Sequence, residues 1–209
     1  MSDTPLLIAG LGNPGAEHAR DRHNAGFIVV EELHREYRFG PWRAKFEGLL
    51  SEGSLGGRKT YLLKPQTYMN LSGRSVGPAM RFFKLPLSAV VVIHDEIDLA
   101  AGKLKVKTGG GDAGNNGLRS ITASLGPDYR RVRVGVGHPG AKSGVTGHVL
   151  GSFTKADADW FVPLVEAMVA AAPLLAADDD TGFMNKVQLA VNPQPKKEKP
   201  AKPEKKDEG

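Results

Sequence analysis

The sequence predicts one α/β domain, built on a mixed, mostly parallel, twisted sheet that is flanked by helices. Two short apolar runs, at residues 6–9 and 90–93, are typical of strands that are buried on both faces of a sheet. Between them, residues 27–37 carry apolar side chains at helical spacing. Strands and helices that interleave in this way form α/β folds, and a chain of 209 residues has room for one substantial core.

The other predicted elements follow from local patterns. Two segments separated by a glycine pair predict a hairpin, and two segments that alternate charged and aliphatic residues predict strands with one wet face. Apolar spacing predicts further helices, the last of them with kinks or breaks at Pro163 and Pro173. The predicted hairpin strands are residues 44–51 and 59–63, the alternating strands are 103–107 and 131–137, and the helices are 75–83, 118–125 and 155–177.

The charge pattern divides the chain into a mildly basic body and a basic tail. The whole chain carries a net charge of +5, which attracts polyanions without identifying one. Residues 192–209 hold six lysines against four acidic residues, so the body retains +3 and a contact with nucleic acid should be a local patch. Because Pro, Lys and Glu dominate the tail, we assign residues 1–190 to the folded domain and predict disorder for residues 191–209.

Several classes of protein are excluded by what the sequence lacks. Without cysteine there are no disulfides, thiolate metal sites or cysteine nucleophiles, which fits a reducing compartment. The first 15 residues lack the basic segment of a signal peptide. No apolar segment approaches the roughly 20 residues that span a membrane. We therefore expect a cytoplasmic protein with no membrane segment.

Three glycine-containing motifs match well-known patterns only in part. Residues 10–15 have the spacing of a dinucleotide-binding loop, but residues 24–26 interrupt the chain before the next helix. Residues 73–77, around Ser75, have the spacing of a nucleophile elbow, but the polar segment before them is no buried strand. The loop at residues 109–114 fits either a phosphate cradle of backbone N–H groups or a tight structural turn.

Six separated motifs occur in order along the chain. They are GLGNPG at residues 10–15, RHNAG at 22–26, TYMNLSG at 67–73, HDEIDL at 94–99, GNNGL at 114–118 and GVGHPG at 135–140. Together they resemble the bacterial peptidyl-tRNA hydrolase family, from about residue 6 to at least residue 153. The resemblance implies an enzyme that cleaves the ester bond of peptidyl-tRNA into free tRNA and peptide, as a monomer and without a metal or another cofactor.

His23 and Asp95 are the first two predicted catalytic residues. Ester hydrolysis needs an activated water, and a histidine with a pKa near 6.5 is a suitable general base at neutral pH. His23 follows a glycine-rich turn, and Asp95 stands where a predicted strand meets a loop, a common position for functional groups in α/β sheets. A carboxylate there can hold one ring nitrogen of His23 and stabilise its protonated form. Taken alone, Asp95 also fits a turn cap.

The resemblance assigns four further residues. It places Asn13 among the catalytic residues, where it helps to exclude aminoacyl-tRNA with a free amino group. Asn70 and Asn116 correspond to side chains that bind the ester and backbone region of the substrate, and Tyr68, in the motif of Asn70, is assigned to substrate binding. An amide offers donors and an acceptor, although Asn is also common in turns.

Two positions depart from the family pattern. His18 stands where many members carry a tyrosine that contacts the substrate, so we expect it to retain a stacking role without the phenol. Asn115 stands at a position that is commonly His, which alters the contacts of the glycine-rich loop. Neither departure changes the two residues of the predicted pair, His23 and Asp95.

Lys105, Lys107 and Arg133 are the predicted contacts to tRNA phosphate. They lie on the two alternating strands beside the glycine-rich loop. The resemblance implies that Lys107 and Arg133 hold the 5′ phosphate. The pattern alone fits a solvated sheet face equally well.

Three other functions are compatible with parts of the sequence. A non-catalytic RNA-binding protein on the same fold would bind tRNA without cleaving it, and the presence of both His23 and Asp95 argues against this. A serine esterase would be labelled covalently at Ser75 by a fluorophosphonate. A dehydrogenase would be protected against heat by NAD.

Overall fold

The computed structural model describes residues 3–140 and 144–192, in which seven strands form one sheet and helices cover both of its faces. The strands are β1 (Leu6–Gly10), β2 (Arg43–Lys45), β3 (Gly48–Leu55), β4 (Arg58–Pro65), β5 (Val90–Glu96), β6 (Leu104–Thr108) and β7 (Arg130–Gly135). The helices are α1 (Ala25–Glu36), α2 (Gly73–Phe82), α3 (Asn116–Leu125), α4 (Val145–Val149), α5 (Lys155–Ala176) and α6 (Asp180–Val191). The predicted α/β fold with a mixed sheet is confirmed.

Parallel pairing is confined to the centre of the sheet, whose strand order is β2-β3-β4-β1-β5-β7-β6. β4, β1, β5 and β7 run parallel, whereas β2 and β3 on one flank and β6 on the other form antiparallel pairs. The predicted hairpin strand at residues 44–51 is divided into β2 and β3. The division falls at Phe46 and Glu47, whose positive φ angles of 55° and 48° turn the chain.

The sheet separates two hydrophobic cores. One face of β1 and β5 places Ile8, Val91 and Ile93 in a core shared with α1, α5 and α6. The other face places Leu7 and Val92 in a core shared with α2 and α3. Because successive strand residues point to opposite faces, one apolar run supplies both cores. The polar motifs that follow β1 and β5 are consequently left at the carboxyl ends of these strands.

α5 is one helix of 22 residues that contains both prolines predicted to kink or break it. A proline within a helix removes the hydrogen bond to the carbonyl four residues earlier. Pro173 thereby frees the carbonyl of Val169, which accepts a hydrogen bond of 2.8 Å from the Tyr37 hydroxyl. Pro163 frees the carbonyl of Asp159, an exposed residue at which solvent can supply the missing donor. The helix is continuous, so the predicted breaks are wrong. At Pro173 the Tyr37 hydroxyl replaces the missing helical donor.

α5 is also long and apolar enough, by length and composition, to cross a membrane. Half of its apolar window is buried inside the protein, where Leu164 and Met168 belong to the core shared with α1 and α6. The prediction that no apolar segment approaches this length is therefore wrong for α5. α5 packs here as the central helix of a core.

α6 is a helix that the sequence patterns did not predict. It begins after Asp179, whose carboxylate accepts a hydrogen bond of 2.8 Å from the backbone of Gly182. Only Phe183 and Val187 are buried on it, so its apolar periodicity is weak. The predicted domain boundary at residue 190 falls in its last turn. The predicted disorder concerns residues that, from 193 onward, lie outside the described part of the chain, and it stays a prediction.

Candidate active site

The position of His23 follows from the packing of α1 against two strand ends. His23 lies in a short 3₁₀ turn, Arg22–Asn24, that leads into α1. A Cβ atom at Gly26, in the first turn of α1, would lie 2.3 Å from the carbonyl oxygen of Ile93 in β5. A Cβ atom at Gly10 would lie 2.2 Å from the carbonyl oxygen of Gly26. Because both residues are glycine, α1 starts directly against β1 and β5, which brings His23 beside the end of β5.

His23 and Asp95 form a hydrogen-bonded pair. Nδ1 of His23 lies 2.9 Å from each carboxylate oxygen of Asp95. Asp95 is still part of β5 and only 3% exposed, whereas the side chain of His23 is 12% exposed. A carboxylate accepts, so Nδ1 carries the proton that is donated to it. The other ring nitrogen, Nε2, is left for a partner such as water. The geometry brings together the two residues that the sequence predicts, 72 positions apart in the chain.

The surroundings of His23 act on its pKa in opposite directions. Burial alone lowers the pKa because it disfavours the charged ring. The hydrogen bond that His23 donates to Asp95, the negative charge of Asp95 and then that of Asp21 raise the pKa, and the net result is a pKa above the usual value of 6.5. The site therefore stabilises the protonated ring that a general base becomes after it has taken a proton.

Asn13 is fixed in the site by two hydrogen bonds to its backbone and one to its side chain. Asn24 accepts from the backbone N–H of Asn13 and donates to its carbonyl, both at 2.9 Å. Oδ1 of Asn13 accepts from the backbone of Met69 at 2.8 Å. Because a backbone N–H can only donate, the amide oxygen must face Met69, and Nδ2 is the atom left for the cleft. Asn24, which sequence reasoning treated only as part of a motif, joins the loop after β1 to the turn of His23.

A cleft of about 460 Å³ lies over the His23–Asp95 pair. The predicted residues that line it are His23, Asp95, Asn13, Tyr68, Asn70 and Asn116. Tyr68 is 66% exposed and presents an aromatic surface at the site. Sequence reasoning missed the opposite wall, which α4 and the residue after it provide through Val145, Thr146, Val149 and Leu150. The cleft thus combines polar amides with an apolar rim.

Arg22 joins the turn of His23 to the segment that carries this rim. Its guanidinium donates to the carbonyls of Gly151 and Ser152, each at 3.2 Å, and pairs with Asp157 of α5 at 2.6 Å. The guanidinium also lies over the ring of Phe153, 5.6 Å from its centroid. These partners lie about 130 positions away in sequence, so no local pattern predicted them.

His18 is the one predicted cleft residue that does not line the cleft. Its Nδ1 lies 2.8 Å from the carboxylate of the buried Asp21. This pairing holds the ring at the 3₁₀ turn Ala16–His18. The expected stacking role of His18 toward the substrate therefore stays a prediction.

The three predicted phosphate contacts lie on neighbouring strands. Lys105 of β6 stands opposite Arg133 of β7, and Lys107 stands opposite Arg131, so all four share one face of the sheet. Both lysines are exposed, whereas Arg133 is partly buried and pairs with Glu96 at 2.9 Å. This basic face adjoins the cleft because Glu96 also lines the cleft wall.

Arg131 and His94 lie beneath this basic face and were not predicted. Arg131 is 1% exposed and donates to the carbonyl of Gly111 at 2.8 Å, which fastens the glycine-rich loop to β7. His94 projects from β5 to the side opposite Asp95 and is also 1% exposed. Burial is the largest influence on its pKa and lowers it, so this ring is neutral near pH 7.

The partial motifs do not form the sites that they suggest. Ser75 is buried within α2, outside the cleft, and its hydroxyl has no hydrogen-bond partner in the described residues. The loop at residues 10–15 leads into two 3₁₀ turns before α1, unlike a dinucleotide-binding loop that opens a helix. Across residues 3–140 and 144–192, no group of three His, Asp or Glu side chains is arranged to hold a metal ion.

Fold and site together define an α/β protein whose cleft holds a histidine against a buried carboxylate, beside a basic sheet face. The chain belongs to the peptidyl-tRNA hydrolase family, because the model of that family, described as peptidyl-tRNA hydrolase, matches residues 7–199. The family that the six motifs predict is thereby confirmed.

Similar proteins and a solved structure support the same family assignment. The peptidyl-tRNA hydrolase of Parvibaculum lavamentivorans is 56% identical over 97% of this chain and 100% of its own length. That of Mesorhizobium japonicum is 56% identical over 89% of this chain and 78% of its own length. The crystal structure of peptidyl-tRNA hydrolase from Acinetobacter baumannii has a TM-score of 0.84 and 39% identity, over 90% of this chain and 96% of that one.

Proposed function

We propose that this protein hydrolyses the ester bond of peptidyl-tRNA with His23 as the general base. Membership of the peptidyl-tRNA hydrolase family supports the reaction itself, an ester hydrolysis. The observation that carries the mechanism is the contact of the His23 ring with both oxygens of the buried Asp95. Such a pair leaves one imidazole nitrogen directed to a water and needs no nucleophilic side chain.

The proposed reaction proceeds in two steps. Nε2 of His23 takes a proton from water while the water oxygen bonds to the ester carbonyl carbon, which forms a tetrahedral oxyanion. Asp95 stabilises the imidazolium that results. When the oxyanion collapses, the bond to the 3′ ribose oxygen of tRNA breaks, and the imidazolium returns its proton to that oxygen. The products are tRNA with a free hydroxyl and a peptide with a free carboxylate.

The amide side chains hold the substrate in this proposal. Nδ2 of Asn13, whose oxygen is engaged by Met69, is a fixed donor for a substrate carbonyl. In that position it also discriminates against substrates with a free amino group, because it offers a donor where an ammonium needs an acceptor. Asn70 and Asn116 clamp the peptide and the acceptor end across the cleft, and Tyr68 stacks on the substrate.

The basic face beside the cleft is the proposed site for tRNA phosphate. Lys107 and Arg133 hold the 5′ phosphate, and Lys105 adds positive charge on the same face. Arg133 is oriented for this by Glu96, which engages Nε at 2.9 Å and leaves the two terminal nitrogens of the guanidinium.

The protein acts in the cytoplasm as a monomer in this proposal. All residues with a proposed role in chemistry belong to one cleft of a single chain. The proposed steps use side chains and water, so they require neither a metal nor an organic cofactor.

One assay tests the proposal and its alternatives together. We expect the protein in EDTA to cleave N-acetyl-aminoacyl-tRNA and to leave unblocked aminoacyl-tRNA intact. His23→Ala should abolish turnover and retain tRNA affinity, whereas Ser75→Ala should retain turnover. Near-normal turnover by the His23→Ala variant would exclude the general-base role. Binding without cleavage by the native protein would favour a non-catalytic RNA-binding protein instead.

A further inference from the structure

Asn115, the residue before α3, contacts two parts of the site at once. Its Oδ1 accepts hydrogen bonds from the backbone of Gly117 at 2.9 Å and of Leu118 at 3.1 Å, which caps the helix. Its Nδ2 donates to Oδ1 of Asp95 at 3.4 Å. No other helix cap in the described residues reaches the His23–Asp95 pair.

The orientation of this amide follows from its partners. Two backbone N–H groups can only donate, so the oxygen must face α3 and the nitrogen must face Asp95. The preceding turn holds the residue in place, since the backbone N–H of Asn115 donates to the Asp112 carbonyl at 2.8 Å. Gly114 in that turn has a φ of 77°, a left-handed conformation.

Asp95 is therefore held from two sides. His23 donates to it from the turn before α1, and Asn115 donates to it from the turn before α3. A buried carboxylate with two donors has less freedom to rotate than one with a single donor, and the added donor disperses its negative charge. Asn115 also precedes Asn116, which lines the cleft, so the cap fixes the backbone of a proposed substrate-binding residue.

We propose that Asn115 is a positioning residue, which acts through Asp95 on the orientation and basicity of His23. The inference deepens the proposed function and rests on it. It concerns a position at which this chain departs from the pattern of the family that it resembles, so the contact is read from this structure alone. Asn115 also couples the start of α3 to the catalytic pair, because one amide makes both contacts.

The charges around His23 make the effect measurable. Asp95 and Glu96 face the cleft from β5, Asp21 precedes the turn of His23, and Tyr68 lines the wall before α2. Glu96 is paired with Arg133. On the side of β5 opposite Asp95, His94 lies near Arg131. The lining residues from α4 and from the turn before α3 carry no ionisable group; they are Val145, Thr146, Val149, Leu150, Ala113, Gly114 and Asn116.

Asn115→Asp separates the two contacts of this residue. Aspartate is a good helix N-cap, so the contacts to Gly117 and Leu118 are retained. The donor to Asp95 is replaced by a second negative charge, which favours the protonated form of His23. We expect the acid limb of kcat/KM against pH to move upward by about one pH unit, a tenfold loss at acidic pH, with little change in Tm.

Asn115→Ser is the second variant, since serine also caps helices but brings no charge and is too short to reach Asp95. We expect kcat to fall about threefold to tenfold, with KM nearly unchanged, because a misplaced base weakens the chemical step more than binding. Asp179→Ala is the matched control. It removes the cap of α6, away from the cleft, and should lower Tm without altering the pH profile.

The outcomes distinguish this inference from the proposed function. If both variants of Asn115 keep the native pH profile and kcat, Asn115 is only a helix cap and the inference is overturned. Should Asn115→Asp fail to fold, the kcat of Asn115→Ser decides alone. If His23→Ala keeps normal turnover, the proposed general base itself is wrong. An inactive His23→Ala together with a shifted Asn115→Asp profile supports both.

Discussion

At the scale of single residues, His23 is a largely buried ring with a raised pKa. In the proposed mechanism its neutral form takes the proton from water, so we expect activity to increase as the pH rises through this pKa. Asp95 supplies the largest of the influences that raise the pKa, first by its hydrogen bond and then by its charge. In the proposed mechanism the same carboxylate stabilises the imidazolium that forms during the reaction. A stronger interaction between Asp95 and His23 therefore makes His23 a stronger base. It also raises the pH above which His23 is neutral and able to accept a proton.

The Asp95→Asn variant tests how Asp95 affects both the rate and the pKa of His23. The amide removes the negative charge and can donate to Nδ1, which would favour the wrong tautomer of His23. We expect kcat to fall by about 10²- to 10⁴-fold, the range that general acid–base catalysis contributes. Because both influences of Asp95 raise the pKa of His23, the acid limb of the remaining activity should move to lower pH. The pH profile of kcat/KM measures this shift.

The binding of deacylated tRNA serves as the control for Asp95→Asn, because Asp95 lies away from the basic face and its loss should leave affinity unchanged. An acid limb that stays at the native pH in this variant would show that His23 does not titrate against Asp95.

At the scale of elements, α5 shows how a helix tolerates an internal proline. The carbonyl of Val169 lies in a buried stretch and has lost its helical donor to Pro173. The hydroxyl of Tyr37, which follows α1, replaces that donor at 2.8 Å. One hydrogen bond thus compensates for the proline and also joins α1 to α5, two of the three helices that share this core.

Tyr37→Phe should lower the free energy of unfolding by about 1 kcal/mol, because it leaves the buried carbonyl of Val169 without a donor. In a Pro173→Ala background the same substitution should cost much less, since the alanine N–H restores the helical hydrogen bond. Urea unfolding of the four proteins in this double-mutant cycle measures the coupling. Equal costs in both backgrounds would show that the hydroxyl and the proline are independent.

At the scale of the whole molecule, a cluster of positive charge lies beside the cleft. β6 pairs with β7 so that Lys105 and Lys107 stand beside Arg133 and Arg131, next to the wall of the cleft. The net charge of the chain is only +5, so this local cluster determines the attraction for a polyanion more than the total does.

Lys107→Ala should weaken the binding of tRNA and reduce the slope of log affinity against log salt by about one unit, as expected for one lost phosphate contact. Lys59→Ala is the matched control, because Lys59 is exposed on the β3–β4 hairpin, toward the opposite flank of the sheet. Filter binding over a range of salt concentrations gives both slopes. Identical slopes for the two variants would place the phosphate contact elsewhere.

Much of the fold was predictable because local sequence patterns determine its elements. The apolar runs of β1 and β5 and the spacing in α1 predict their elements within a few residues. α6 was missed because only two buried residues give it a weak helical period. Breaks were predicted in α5 because the donor that compensates for Pro173 lies on Tyr37, 132 positions from Val169. A local pattern carries no information about such a partner.

The same distinction between local patterns and long-range contacts applies to the candidate site. The residue types and motif order determined the family and named the six predicted residues that line the cleft. Only the folded chain decided that His18 pairs with Asp21, that Arg22 fastens the α4 rim and that Asn115 reaches Asp95. Sequence alone determines which chemical groups are available and which local structures they favour. Which groups meet is decided by packing, because contacts between distant residues form only when the sheet and both helical layers bury their apolar faces together.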